Sequence, residues 1–229
     1  MMKEFLEVKL SGWTGTPRQP FILSGNAMCM PVPSYSLLLG IIGCCLGRLV
    51  ESNEVSLGFH YSFDNYNQDI ETRQRLEFDG KRVKNHSKGT DAYSREFHSN
   101  PKLTLWIDRL DWIGHFKYPV GTPALGRSQD LLKIESVRII KAKPIECAEL
   151  AGCMLPFVPG MAVGGQLVQL AESFVENSEI GSGRIPQKSG IFVAIPHDRK
   201  SNVLHKNLFC FDEDESKNTV SFYFHNWNA

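Results

Sequence analysis

The alternation of apolar and polar residues predicts four β-strands in the first 143 residues of the chain. They are residues 3–10, 55–64, 102–108 and 134–143. The longest apolar run, residues 34–51, is too long for one strand and predicts a helix. Ser34 is suited to cap the N-terminus of this helix, and Arg48 near its end suits the helix dipole.

A polar, glycine-containing insert occupies residues 65–98, between the second and third predicted strands. Irregular inserts of this length in a compact domain are usually functional or disordered. Asp79-Gly80 is a turn signal that could join residues 73–78 and 81–86 as a two-stranded hairpin. A short helix is predicted over residues 109–116.

The elements follow one another in the order βαββαβ, with the insert between the second and third strands. This order predicts an α+β fold of the ferredoxin-like, or RRM-like, type. A sheet of this type often presents one face, or its loop rim, to RNA. Residues 144–229 contain further short strands, and residues 164–175 could be a helix or a strand. These residues predict a smaller, mostly β lobe.

The charges of the chain cancel overall, since 25 basic residues stand against 25 acidic ones. This balance excludes a uniformly basic nucleic-acid binder. The charges are nevertheless segregated: residues 73–95 and residues 109–143 each contain seven basic and three acidic residues, which gives +4 in each segment. Residues 144–180 contain five Glu and no Lys or Arg. The pattern indicates a polyanion site in the middle of the chain; the alternative is solvated surface, as for most charged runs.

Several classes of protein are excluded by what the sequence lacks. No apolar run is long enough for a transmembrane span, and the N-terminus is not typical of a signal peptide. The six cysteines have no CxxC spacing, which favours reduced thiols in a cytoplasm. The seven histidines are scattered as well, so the sequence predicts neither a metal site nor a cofactor.

Two segments resemble a known family. Residues 31–49 join a Pro-x-Pro-Ser start to an apolar helix, and residues 123–137 place Gly-Arg-Ser in a loop that leads into a strand. Together with the N-terminal strand and the basic insert, they are similar to Cas family five of the RAMP superfamily. Members of that family bind the 5′ handle of the guide RNA (crRNA) in type I CRISPR Cascade complexes. The match covers about residues 3–143 and is nearest to subtype I-B.

The resemblance implies an RRM-like palm over residues 1–143, a β-hairpin thumb at about 65–98, and a smaller β-rich lobe over 144–229. It implies a non-catalytic RNA-binding and assembly subunit of a surveillance complex for RNA-guided DNA targeting. The implied partners are the crRNA 5′ handle, the repeated Cascade backbone subunit, the large Cascade subunit and, indirectly, target DNA. No membrane partner is implied.

Candidate RNA contacts lie at the predicted helix start and in the basic insert. Ser34 and Ser36 flank free backbone N–H groups that favour a phosphate, although Ser34 could be a plain helix cap. Tyr35 could stack on a base or lie at the edge of the core. In the insert, the candidate contacts to the RNA backbone are the basic residues. They are Arg73, Arg75, Lys81, Arg82, Lys84, Lys88 and Arg95.

A second candidate phosphate site is the loop Gly126-Arg127-Ser128. It offers unhindered backbone N–H groups and a guanidinium that can bind phosphate with two hydrogen bonds. The alternative is a loop in which Arg127 pairs with Asp130 instead.

Two other functions stay open. One branch of the family cleaves precursor crRNA with Tyr, Lys and His, and this chain has His115, Lys117 and Tyr118 close together in sequence. Such cleavage needs a general acid and a general base, and we expect these residues to be structural instead. The other alternative is an RRM-like protein–protein adaptor without RNA binding, which would not need the basic insert.

Overall fold

The computed structural model describes residues 2–20, 26–177, 183–213 and 218–227. The helices are α1 (Tyr35–Leu46) and α2 (Ile113–Lys117), the second preceded by a 3-10 turn (Leu110–Trp112). The strands of the described ranges are β1 (Lys3–Gly12), β2 (Thr14–Gly15), β3 (Asn26–Ala27), β4 (Leu57–Ser62), β5 (Asn65–Phe78), β6 (Val83–Ser99), β7 (Lys102–Ile107), β8 (Leu132–Leu150), β9 (Cys153–Pro156), β10 (Gln166–Glu176), β11 (Arg184–Ile195), β12 (Ser201–Asp212) and β13 (Thr219–His225).

Four antiparallel strands form the palm sheet in the order β8-β1-β7-β4. They are the four strands that the apolar pattern predicts, and α1 and α2 follow the first and third of them. Leu6 and Val8 on β1 share one buried cluster with Leu38 and Ile42 of α1, since alternate residues of a strand point to one face. The predicted α+β fold with a ferredoxin-like palm is confirmed.

The opposite face of the palm sheet is covered by β12 and β13. These strands pair with each other, β12 pairs with β8, and β13 pairs with β4, so the six strands close into a barrel. Phe5 and Trp106 of the palm pack there against Phe222, whose ring is stacked on Trp106 at a centroid distance of 4.4 Å. This palm face is therefore buried and not available to RNA.

The strand β8 continues through residues 143 and 144, where the sequence predicted the boundary between two lobes. β12 pairs with β8 on both sides of that point, at Lys143 and at Leu150. Residues 164–175 contain most of β10 and are a strand, not a helix. With β11 and β9, β10 forms a separate three-stranded sheet next to α1. Neither α1 nor α2, the helices of the described ranges, has the length and apolar character that crossing a membrane requires.

Candidate nucleic-acid interface

The insert is a long antiparallel hairpin formed by β5 and β6. Its tip is the tight turn that the sequence predicted. The Asp79 carboxylate accepts hydrogen bonds from the backbone N–H groups of Lys81 (2.9 Å) and Arg82 (3.0 Å), and Gly80 adopts the left-handed conformation with φ of 92°. At its base, β6 pairs with β2 and β3, which anchors the hairpin to the N-terminal segment. We call this hairpin the thumb.

Six of the seven basic residues of the thumb fall into two groups, and the seventh, Arg95, lies at its base. Arg75 pairs with Asp91 (2.7 Å), and Lys84 lies 3.4 Å from Glu77. The Arg73 guanidinium lies over the ring of Tyr93, 5.0 Å from its centroid. These three cations are therefore partly compensated within the thumb.

The second group lies at and near the tip. The side chains of Lys81, Arg82 and Lys88 are exposed. In the described part of the chain none of the three has an ion pair or a side-chain hydrogen bond. They are the thumb cations that can neutralise phosphates without breaking an existing contact.

The base of the thumb is held by a chain of ion pairs. Arg95 lies 2.7 Å from the Glu71 carboxylate, and Arg127 lies 2.6 Å from the same carboxylate. Arg127 also makes two hydrogen bonds to Asp130, of 3.0 Å and 2.9 Å. Arg127 is 18% exposed and Asp130 is fully buried. The alternative interpretation of Arg127, a pair with Asp130, is the arrangement observed.

Asp130 is the charged centre of this base. The hydroxyls of Thr14 and Thr16 donate to its carboxylate at 2.7 Å and 2.6 Å. Burial alone would raise the pKa of Asp130, but the hydrogen bonds from Arg127, Thr16 and Thr14 bring it below its ordinary value. Asp130 is therefore ionised at neutral pH and holds the loop against the N-terminal segment.

The backbone of the Gly-Arg-Ser loop also makes its contacts within the protein. The Arg127 N–H donates to Asp130 at 3.1 Å, and Gly126 has φ of 111°. A Cβ at Gly126 would overlap the Thr16 carbonyl oxygen, so only glycine fits this position. Ser128 is exposed and is the member of the loop that stays open to a ligand.

The start of α1 lines a cleft of about 740 Å³. Ser34 caps the helix by accepting a hydrogen bond from the Leu37 N–H at 3.2 Å, and its hydroxyl lies 3.0 Å from that of Ser36. Both serines line the cleft, together with Arg18 and Gln169. The predicted cap is present, and the cleft leaves space beside it for a polar ligand.

Tyr35 does not belong to this surface. It is 2% exposed, its hydroxyl donates to the Met154 carbonyl at 2.5 Å, and its ring is stacked on His225 at 4.1 Å. The expectation that it stacks on an RNA base is therefore replaced by its alternative, a core position.

The residues considered for RNA cleavage lie at α2. His115, Lys117 and Tyr118 are exposed, and Lys117 and Tyr118 border a cleft of about 540 Å³ beside β8. Within the described residues, no hydrogen bond joins any two of the three. Nor do the described His, Cys, Asp and Glu residues form a group of three or more that could hold a metal ion.

Sequence reasoning missed two features of this surface. Glu71 connects Arg95 and Arg127, although it lies 56 positions from Arg127 in the sequence. Tyr66 is half-exposed at the thumb base, next to a small cleft. The alternation of Tyr66 with polar neighbours was the available signal, but it did not distinguish a surface ring from a buried one.

No protein-family model matches this chain, and no curated protein matches it significantly. Among solved structures, a chain of a CRISPR RNA-guided surveillance complex matches with a TM-score of 0.52 and 15% identity, over 84% of this chain and 90% of that one. A CRISPR protein from Archaeoglobus fulgidus matches with a TM-score of 0.48 and 10% identity, over 96% and 99%. A chain of the type III-B Cmr-beta complex, bound to cognate target RNA and AMPPnP, matches with a TM-score of 0.47 and 13% identity, over 88% and 86%. The first of these matches shows that the fold is shared with a subunit of such a surveillance complex.

Proposed function

We propose that this chain is an RNA-binding and assembly subunit of a CRISPR effector complex. The fold likeness to a surveillance-complex chain supports the general role. The resemblance of residues 31–49 and 123–137 to Cas family five supports the finer one, a non-catalytic subunit that holds the crRNA 5′ handle in a type I Cascade.

The thumb carries this proposal. The palm face that RRM-like proteins often use is closed by β12 and β13, so RNA must bind elsewhere. The thumb places three exposed cations, Lys81, Arg82 and Lys88, at and near the end of a long hairpin, and their side chains have no partner among the described residues. A protein–protein adaptor would not need this arrangement, whereas phosphate contacts dominate the affinity of RNA-binding surfaces.

The partners proposed are the crRNA handle at the thumb tip and the Ser34–Ser36 cleft, with the backbone and large subunits on the remaining surface. We propose that the subunit does not cut RNA. The exposed and unconnected positions of His115, Lys117 and Tyr118 support this, because general acid–base catalysis needs groups held within reach of one reacting centre.

The experiment is an electrophoretic shift titration with repeat-derived handle RNA in EDTA, at several salt concentrations. The test variant carries Lys81→Glu, Arg82→Glu and Lys88→Glu. The matched control carries Lys141→Glu, Lys143→Glu and Lys206→Glu, three exposed positions away from the thumb and from the cleft at its base, with the same change of charge.

We expect the thumb variant to bind much more weakly and its log–log salt slope to fall by about 2, the value for three lost single-strand phosphate contacts. The control should keep both the affinity and the slope. Equal losses in the two variants would reject the thumb as the RNA site. RNA cut by the unaltered chain and left intact by a His115→Ala variant would reject the non-catalytic role.

A further inference from the structure

We propose that the small cleft at the thumb base binds one unpaired nucleobase of the RNA, an inference that rests on the proposed RNA-binding role. The cleft has a volume of about 350 Å³. It is bordered by Cys29 and Pro31 after β3, by the start of β5, by the start of β10 and by the turn between β11 and β12. Four parts of the chain thus meet around it, at the point where the thumb joins the palm.

One wall of the cleft is an aromatic ring held in place from behind. Tyr66 is 53% exposed. Its ring packs edge-on against Phe63 and against His98, each at a centroid distance of 4.7 Å. His98 is itself fixed by a 2.8 Å hydrogen bond to the buried Tyr61 hydroxyl. A ring that is ordered before binding can stack on a base without losing side-chain freedom, and such stacking is tolerant of sequence.

The other walls carry polar groups that the protein does not use. Gln166, Asp198 and Arg199 line the cleft. Within the described residues, none of these three side chains has a hydrogen bond or an ion pair. An amide, a carboxylate and a guanidinium provide both donors and acceptors around one ring. This is the combination that recognises the edge of a splayed-out base in single-stranded RNA.

The Tyr66 hydroxyl adds a donor to this set. Burial raises its pKa to about 12, and the nearby Cys29, Asp198 and Glu96 act in the same direction. The hydroxyl is therefore protonated at neutral pH. The cleft is also continuous with the thumb strand β5, so an RNA backbone that follows the thumb can place a base here.

The test is a fluorescence anisotropy titration of the full chain with labelled repeat-derived handle RNA, in which one abasic site is moved through every position. We expect the Tyr66→Ala variant to bind the intact RNA about tenfold more weakly, as for the loss of one base–aromatic stack. One abasic position should weaken binding to the unaltered chain by a similar factor. The two changes together should then give no further loss, since both remove the same contact.

The Tyr118→Ala variant removes a more exposed tyrosine ring beside α2, away from the cleft, and should bind as the unaltered chain does. Arg199→Ala changes an exposed turn residue and should reduce the affinity without lowering the melting temperature, which separates lost contact from lost folding. Two outcomes would overturn the base-binding cleft while leaving the RNA-binding role intact. One is wild-type RNA affinity in both Tyr66→Ala and Arg199→Ala; the other is affinity losses from Tyr66→Ala and from the abasic site that add at every abasic position. Failure of the unaltered chain to bind any of the RNAs would overturn the RNA-binding role itself.

Discussion

Arg127 and Glu71 form an ion pair of 2.6 Å that joins the loop before β8 to the first strand of the thumb. Arg127 also pairs with the buried Asp130, and Glu71 also pairs with Arg95 on the second thumb strand. The direction in which the thumb leaves the palm is therefore set by buried and half-buried charges. A loop that resembles a phosphate site in sequence acts here as the joint of the thumb.

Removing Arg127 should destabilise the fold strongly. In Arg127→Ala, the fully buried Asp130 carboxylate keeps its threonine hydrogen bonds but loses its counter-charge. We expect a loss of about 3 kcal/mol in the free energy of unfolding, measured by urea denaturation. Lys133→Ala breaks the exposed Lys133–Glu135 pair and should change the free energy of unfolding by less than about 1 kcal/mol. Similar losses of stability in both variants would contradict the structural role of Arg127 at the thumb base.

Two glycines provide a matched pair of substitutions with opposite signs. Gly126→Ala would place a Cβ against the Thr16 carbonyl at a left-handed backbone position. It should destabilise the protein by about 1–3 kcal/mol. Gly40 lies within α1, where an added Cβ meets open space, so Gly40→Ala should stabilise by about 0.5–1 kcal/mol. Thermal unfolding measures the stability of both variants. A Gly126→Ala variant as stable as the unaltered chain, or more stable, would contradict the close approach of Gly126 to the Thr16 carbonyl.

The stability of the fold should fall on mild acidification because two histidines are buried in their neutral form. Burial lowers the pKa of His98 and of His225 from 6.5 to about 3. The charge of His197 adds a smaller lowering at His98, and the charges of Lys188 and His205 add one at His225. The unfolded chain then binds more protons than the folded chain below pH 6.5. The contribution of each neutral, buried histidine to the free energy of unfolding is therefore complete above pH 6.5, and it is lost as the pH falls towards 3.

The slope expected from each histidine is about 1.4 kcal/mol per pH unit within that window. The free energy of unfolding between pH 7.5 and 5 measures it. His98→Phe retains a ring against Phe63 and should take up about one proton fewer on unfolding. An unchanged slope in this variant would mean that His98 is protonated in the folded protein.

Tyr35 and Ser34 are neighbours with different roles. Tyr35→Phe removes the hydrogen bond to the Met154 carbonyl and should cost about 1 kcal/mol of stability while leaving RNA affinity unchanged. Ser34→Ala removes the cap of α1 and should cost about 1 kcal/mol as well. Ser36→Ala keeps the cap, so weaker RNA binding by this variant at unchanged stability would identify the cleft as a phosphate contact. Denaturation and shift titrations of the three variants separate these effects.

The features that could be predicted from the sequence are those set by local patterns. The palm strands follow from alternation, the cap at Ser34 from a hydroxyl before an apolar run, and the thumb turn from Asp79-Gly80. Alternation indicates which face of a strand is apolar, but not what covers that face. The sequence also offered the Arg127–Asp130 pair and a core-edge position for Tyr35, but only as alternatives, because the choice depends on what packs around them. The closure of the palm by β12 and β13 and the pairing of Arg127 with Glu71 depend on residues distant in sequence, so no local pattern contained them.

Closure of the barrel also has a consequence for how the chain folds. In the pairing of β13 with β4, Phe224 lies opposite Gly58, so this pairing joins positions 166 residues apart in the sequence. Contacts of such long range form slowly, because the entropy of the intervening chain must be lost first. Until they form, the aromatic side of the palm around Phe5 and Trp106 is open to water and to other chains. During synthesis this face can be protected only after almost all of the described chain has left the ribosome, and aggregation competes with folding throughout that interval.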